Sequence, residues 1–479
     1  MNALSNASWV AAIQASKIAI QLASLAILSR ILSPSDFGAM AIATVAINFS
    51  LIIRDLGTAA TIIHNKEISD RTLNSLFLLN SIAGAVLGII LYLSSSWISQ
   101  YFSFPQLESM LAILGMAFPI GAFTVVHQAL IEKRSGFRTL ARIEVVAGAL
   151  GLFAGVTSAL YNFGALSLAI QAFATTSAIS IQLLIQSSWK PSLRFSLKEV
   201  KKHRRYSGSF TIFSLVNFFS RNADSAIIGR ELGALSLGIY SQAYKLMMIP
   251  LQLLNAVSNR ALFPVLANRQ FDLPAVRALY LRALSILLLL SAPICSGLWI
   301  TRDMLVQVVL GTQWEAASSV LLFLAPVGYI QSLTSSTGPI FMATGTTDIQ
   351  LKLGLFGAAL MILAFFTGVN WGIEGVAACY LIANLVNLFP CMTQTLKQIE
   401  GTWNELILAA TPPTLSAAGM ATALYFLQPK IFEALENTTM TLLATIAAGF
   451  IIYTGILILC FNKYMRTTLL ASYKKNYAQ

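Results

Sequence analysis

Residues Ser29–Ala43, SRILSPSDFGAMAIA, and Gly229–Ala243, GRELGALSLGIYSQA, carry matching side chains in step: Arg30 with Arg230, Leu32 with Leu232, Gly38 with Gly238 and Ala43 with Ala243. Further along each segment Gln100, Gln106, Glu108, Leu114, Pro119 and Gly121 match Gln307, Gln313, Glu315, Leu321, Pro326 and Gly328. Both sets keep the same order at nearly the same offset, as a duplicated unit with one small insertion does. The chain therefore reads as two related halves. Each half holds an even number of apolar spans, so both copies enter a membrane with the same orientation. An axis along the membrane normal then relates them, the repeat type of transporters that rock two bundles about a central site.

The sequence around these segments is almost wholly apolar. Of 479 residues, 56% are hydrophobic and 10% charged, against roughly 25% charged in an ordinary soluble protein; mean hydropathy is +0.73. So few charges cannot cover a water-facing surface of this size, which excludes a soluble enzyme, a secreted scaffold and a disordered chain. Spanning runs lie at Trp9–Ile31, Ala39–Ile63, Leu73–Leu93, Met110–Leu130, Leu140–Leu160 and Ala165–Ile185. A second set covers Ser209–Ile228, Leu237–Val257, Leu279–Trp299, Val320–Phe341, Leu351–Val369 and Val376–Leu396, and a last pair Leu406–Phe426 and Thr441–Phe461. The runs are continuous rather than alternating, so a membrane β-barrel is excluded. The expected fold is an all-α membrane protein of about 14 helices at roughly 20 residues per crossing. The first run is long enough to stay as a helix rather than leave as a signal peptide.

This divides the chain into an N-terminal bundle (1–189), a basic linker (190–207), a second bundle (208–400) and two further helices with a tail (401–479). The net charge of +12 follows topology rather than nucleic acid. With the N-terminus in the cytoplasm, Lys66, Arg71, Lys133, Arg134, Arg138, Arg142 and the run from Lys190 to Arg205 all fall on cytoplasmic loops. Arg30, Arg230, Arg302 and Lys430 fall on the other side. The positive-inside rule thus places both termini in the cytoplasm.

Local signals support the same outline. In Ser33-Pro34-Ser35-Asp36 the serine caps the second helix, proline suits its first position and the acid sits at N3. Pro119 and Pro326 each remove a backbone hydrogen bond inside a span and predict matching kinks. Cys295, Cys379, Cys391 and Cys460 sit in or at the ends of apolar runs at unrelated spacings, so neither a disulfide framework nor a metal site is indicated. Asn437-Thr438-Thr439 fits a glycosylation sequon, a short pattern that recurs by chance.

Ionisable residues inside the spans carry the functional signal. Lys17, Arg54, Asp55, Arg221, Asp224 and Lys245 would cost on the order of 15–20 kcal/mol if all faced lipid, so they line a cavity or pair within the bundle. Arg221 and Asp224 share a helix face at i, i+3, whereas Arg54 and Asp55 point apart. His127 lies near the inner end of its span. Neutral His127 leaves a basic surplus of about two, which suits a diphosphate; salt-bridge pairing with a purely structural role is the plainer alternative. No catalytic constellation, Walker sequence or extramembrane domain is present, so neither catalysis nor a bound cofactor is expected.

The stretch Ser220–Pro250 (SRNADSAIIGRELGALSLGIYSQAYKLMMIP), with Asn255–Ala267 (NAVSNRALFPVLA), Arg30–Ala43 and Asp55-Leu56-Gly57, resembles the polysaccharide-transporter family of Wzx-type flippases, and within it the colanic-acid exporter branch. The resemblance implies alternating-access transfer of oligosaccharide units on undecaprenyl diphosphate across the bacterial inner membrane, with no nucleic acid as partner. Other polysaccharide assembly proteins are partners the same resemblance implies, beside membrane lipids. By that analogy Lys17, Arg54, Arg221 and Lys245 would face the phosphates, and Asp55 and Asp224 would orient them or couple an ion. Ser225 and Glu231 depart from the family pattern. Two other classes compete: an ion-coupled drug exporter of the same fold, which an excess of buried acids would favour, and a polymerase-type membrane enzyme, which would need a larger outward loop.

Overall fold

The computed structural model describes residues 3–55, 58–64, 68–134, 136–192, 196, 222–267 and 272–462. Among them there is no strand. Eight helical stretches are long and apolar enough to cross a membrane, or nine if the bent pair Gln106–Ala122 and Val125–Lys133 is one span. The protein is an all-α, multi-pass membrane protein. Its helices group into two units, residues 1–241 and 242–479.

The first unit contains α1 (Ala3–Ile31), α2 (Pro34–Asp55), α3 (Thr58–His64), α4 (Asp70–Phe102), α5 (Gln106–Ala122), α6 (Val125–Lys133), α7 (Phe137–Leu160) and α8 (Leu166–Gln186). Helical residues 222–231, α9, and the start of α10 (Gly233–Ala267) pack with it. The cap expected at Ser33 forms: Asp36 accepts from the Ser33 backbone N–H at 2.9 Å, and Ser33 Oγ accepts from Asp36 N–H at 3.4 Å. That reciprocal pair satisfies two helix-end donors and fixes a tight turn between α1 and α2.

Helix α3, at the end of the run Ala39–Ile63, packs with α4 and α6 through Ile62, Leu73, Leu76, Phe77, Val126 and Ala129. One expected span is interrupted. The run Met110–Leu130 bends by 47° between α5 and α6, just after Pro119. Proline cannot donate to the preceding turn and crowds it, so the helix ends within one turn and restarts.

Glycines set the closest approaches. At Gly88 a Cβ would come within 2.6 Å of the Gly115 carbonyl, which lets α4 and α5 pack backbone to backbone. The repeat-matched Gly38 and Gly238 meet each other's helix starts. A Cβ on Gly38 would overlap the Ala234 carbonyl, and one on Gly238 would overlap the Pro34 carbonyl. The contact is reciprocal at the offset seen in the sequence.

The second unit continues α10 and adds α11 (Leu273–Val309), α12 (Ala316–Ser335), α13 (Gly338–Ala343), α14 (Thr347–Gly368), α15 (Gly372–Gln398), α16 (Trp403–Leu435) and α17 (Thr438–Cys460). Helix α12 continues for nine residues beyond Pro326, and Ala316–Ala343 is a single apolar stretch without a bend above 40°, so the kink expected to match that after Pro119 does not form there. Helices α14 and α15 form an antiparallel hairpin. Gly368 abuts Gly375 at its tip, Gly357 faces Asn387 further down, and Gly372 turns the chain at φ +73°. Asn437 caps α17 through its side-chain oxygen, accepting from Thr439 and Met440 N–H at 3.0 and 3.1 Å, so the sequon asparagine has a structural task. The four cysteines are free thiols.

Candidate functional site

Helices α1 and α7 run parallel. Ile20 packs on Gly148 at 3.4 Å from the glycine's Cβ position, and one turn earlier Lys17 Nζ meets Glu144 Oε2 at 2.5 Å. Lys17 lies roughly 21 Å from the C-terminal end of its helix and Glu144 roughly 24 Å from the end of its own, at 1.5 Å per residue. The pair is therefore well inside both helices. Its side chains keep 39% and 36% of their surface exposed, so the pair is reachable rather than sealed.

The polar line continues upward. Gln171 of α8 donates from Nε2 to Ser24 Oγ of α1 at 2.8 Å, and Thr175 donates to the Gln171 carbonyl at 2.8 Å. Gly151 and Gly155 of α7 leave room for these side chains: a Cβ at 155 would stand 2.9 Å from Gln171 Cβ. Glycines on one helix thus admit an amide and a hydroxyl on the next. The result is a strip of one cation, one carboxylate, two hydroxyls and an amide on otherwise apolar helices. A lysine is a donor to phosphate oxygens and amides and hydroxyls are donors and acceptors for sugar hydroxyls, so the set has the chemistry for both.

The remaining expected residues fall as follows. Asp224 on α9 is 7% exposed, and its carboxylate accepts from the Ser225 backbone at 2.6 Å and the Ser225 hydroxyl at 3.3 Å. Ser225 is thus the group that solvates this buried acid, with Tyr240 also interacting with it. Lys245 is exposed on α10. Arg221 and the side chains of Arg54 and Asp55 lie outside the described residues, as does most of the linker. What is described of its start is tied down: Ser192 N–H donates to Asn74 at 2.6 Å and Ser196 N–H to Ser75 at 3.0 Å.

His127 is 2% exposed, against Phe77 and Trp189 with ring centroids 6.4 and 5.2 Å away. Neither of its nitrogens has a hydrogen-bond partner among the described residues. In the second unit Gln331 of α12 donates to the Tyr380 hydroxyl at 2.7 Å and to Asn384 at 3.3 Å on α15. Tyr244 and Phe365 flank the Tyr380 ring at 6.4 and 5.3 Å. Among the described residues no group of His, Cys, Asp or Glu could hold a metal ion.

A family model described as polysaccharide biosynthesis protein matches residues 27–319. The chain belongs to this family. It is 29% identical over 416 residues to the lipopolysaccharide biosynthesis protein WzxC of Escherichia coli, covering 86% of this chain and 84% of that one. It is 28% identical to the teichuronic acid biosynthesis protein TuaB of Bacillus subtilis, over 95% of each chain. The succinoglycan biosynthesis transport protein ExoT of Rhizobium meliloti is 25% identical over 97% of this chain and 94% of its own length. Among solved structures, the lipid II flippase MurJ in an inward closed conformation superposes with a TM-score of 0.75 at 15% identity, covering 95% of this chain and all of that one. An inward-facing multidrug resistance transporter of the MATE family gives 0.59 at 15% identity, over 81% of this chain and 98% of its own. These two likenesses establish the fold of this family member.

Glu144 is the residue that sequence reading passed over. It lies inside the run Leu140–Leu160, close to Arg138 and Arg142, whose charges read as topology. A carboxylate retained within a span was the available signal.

Proposed function

We propose that this protein flips oligosaccharide units linked to undecaprenyl diphosphate across the bacterial inner membrane, by alternating access, for surface polysaccharide biosynthesis. The observation that carries this reading is the strip of Lys17, Glu144, Ser24, Gln171 and Thr175 on α1, α7 and α8, which combines a phosphate-binding cation with sugar-binding neutral groups at membrane depth. Family membership and the names of the relatives point to the same cargo class. Lys17, Arg54, Arg221 and Lys245 serve the phosphates in this reading, and Asp55 and Asp224 orient them or couple an ion. The transfer makes and breaks no covalent bond, so the protein acts as a transporter and not as an enzyme.

The bundles 1–189 and 208–400 are the two moving halves, the basic segment 190–207 joins them on the cytoplasmic side, and residues 401–479 add two helices and a tail. Both termini are cytoplasmic by the distribution of lysine and arginine. The test is leaflet crossing in proteoliposomes of undecaprenyl-diphosphate-linked oligosaccharide, with and without an imposed ion gradient. Protein-dependent crossing is expected. Absence of crossing with several glycans, together with efflux of a cationic dye, would transfer the protein to the drug-exporter class.

A further inference from the structure

A cargo phosphate that reaches Lys17 meets a lysine already held by a carboxylate. The two helices fix that competitor in place: the register that puts Ile20 on Gly148 also puts Lys17 on Glu144. Glu144 is a half-exposed neighbour in the described arrangement, and its ion pair is with Lys17. Helix α8, which packs on α7, contributes no ionisable side chain between Leu166 and Gln186. Among the described residues, the other charges on α1, α6 and α7 are Arg138 and Arg142 toward the start of α7, Glu132 and Lys133 at the end of α6, and Arg30 at the far end of α1.

Resting on the flippase reading, we propose that Glu144 is an exchangeable counter-ion: the diphosphate of the cargo displaces it from Lys17, and Glu144 takes up one proton as this happens. The empty pair is neutral, whereas a diphosphate brings roughly two to three negative charges beside the same lysine. A second ionised carboxylate within a few ångströms of that anion in a low-dielectric setting favours protonation of the carboxylate. The proton comes from water at the exposed face of the pair, and no bond other than the carboxyl O–H is formed. Once protonated, Glu144 changes from a competing acceptor into a donor that can bond to a phosphate oxygen. When cargo leaves, the proton is released and the pair closes again. Without cargo, the site carries no bare lysine that could capture another anion.

The test uses the full chain in nanodiscs and undecaprenyl diphosphate without a glycan as the probe. Titration calorimetry in two buffers of different ionisation heat gives the number of protons taken up on binding near pH 7. Wild type is expected to take up close to one proton and to bind more tightly as pH falls. Glu144→Gln keeps shape and a hydrogen bond to Lys17, and is expected to bind about tenfold more tightly with no proton uptake, a loss of competition worth one decade of affinity. Lys17→Gln is expected to bind at least tenfold more weakly. Equal uptake in wild type and Glu144→Gln, weaker binding by Glu144→Gln, or no binding of the probe by wild type would each overturn the exchange. The wild-type stoichiometry stands as a test even where a variant fails to fold. Proton-linked binding without leaflet crossing would leave the exchange intact and remove the flippase reading; crossing without proton uptake would do the reverse.

Discussion

The two units differ in their polar chemistry. In the first, the polar strip contains an ion pair, Lys17 with Glu144, beside Ser24, Gln171 and Thr175. In the second, the uncharged side chains of Gln331, Tyr380 and Asn384 are joined by hydrogen bonds and flanked by the rings of Tyr244 and Phe365. A duplicated scaffold constrains helix order and leaves polar side chains free to diverge. For a cargo with an anionic end and a neutral glycan, a charged strip and an uncharged one are complementary tools.

That contrast can be broken by experiment, beginning with the largest effect. Gly38→Val or Gly238→Val puts carbons where the partner helix has its backbone carbonyl, and transport is expected to fall below a tenth of wild type, read as flipping per folded protein. A comparable loss from substitution at Gly297, whose Cβ would meet nothing within 4 Å, would deny the crossing its special place. Next, Lys17→Ala or Glu144→Ala alone leaves one uncompensated charge at membrane depth, and each is expected to lower the detergent-solubilised Tm by several degrees. The double variant should recover most of that Tm and still flip at least tenfold more slowly. Recovery of both would make the pair structural. In the second unit, Tyr380→Phe removes the hydroxyl that Gln331 donates to, and a loss of about 1 kcal/mol in unfolding free energy is expected, with flipping reduced less than by Lys17→Ala. A larger transport loss at Tyr380 would reverse the assigned division of roles.

Much of this arrangement could be read before any coordinates. Continuous apolar runs gave an all-helical membrane protein, Ser33 and Asp36 gave a capped helix start, and Pro119 gave a bend. The pairing of Gly38 with Gly238 announced two related halves. The candidate site was less legible, for a physical reason: partner choice between distant helices depends on packing register. Nothing local to Lys17 names Glu144, which is far along the chain and close to loop arginines. Gln331, Tyr380 and Asn384 carry no charge, so they raised no alarm in an apolar sequence; their importance lies in facing one another across α12 and α15.

The smallest expected effect sharpens the account of the first unit. His127→Phe replaces a buried ring having two unpartnered nitrogens with an apolar ring of similar size, among Phe77 and Trp189. A gain of about 1 kcal/mol is expected, since unsatisfied buried polar atoms cost free energy. A Tm lower than wild type would instead show that the imidazole has a partner in solution.

The crossing at Gly38 and Gly238 has a reading in descent. Residue 34 touches 238 while residue 38 touches 234, the reciprocity that identical subunits make across a two-fold interface. A homodimer built this way would have to place the same side chains on both sides of its axis. Joining the copies in one polypeptide lifts that obligation while keeping the interface. Each copy was then free to change its side chains independently, and a single gene could carry both halves of an asymmetric molecule.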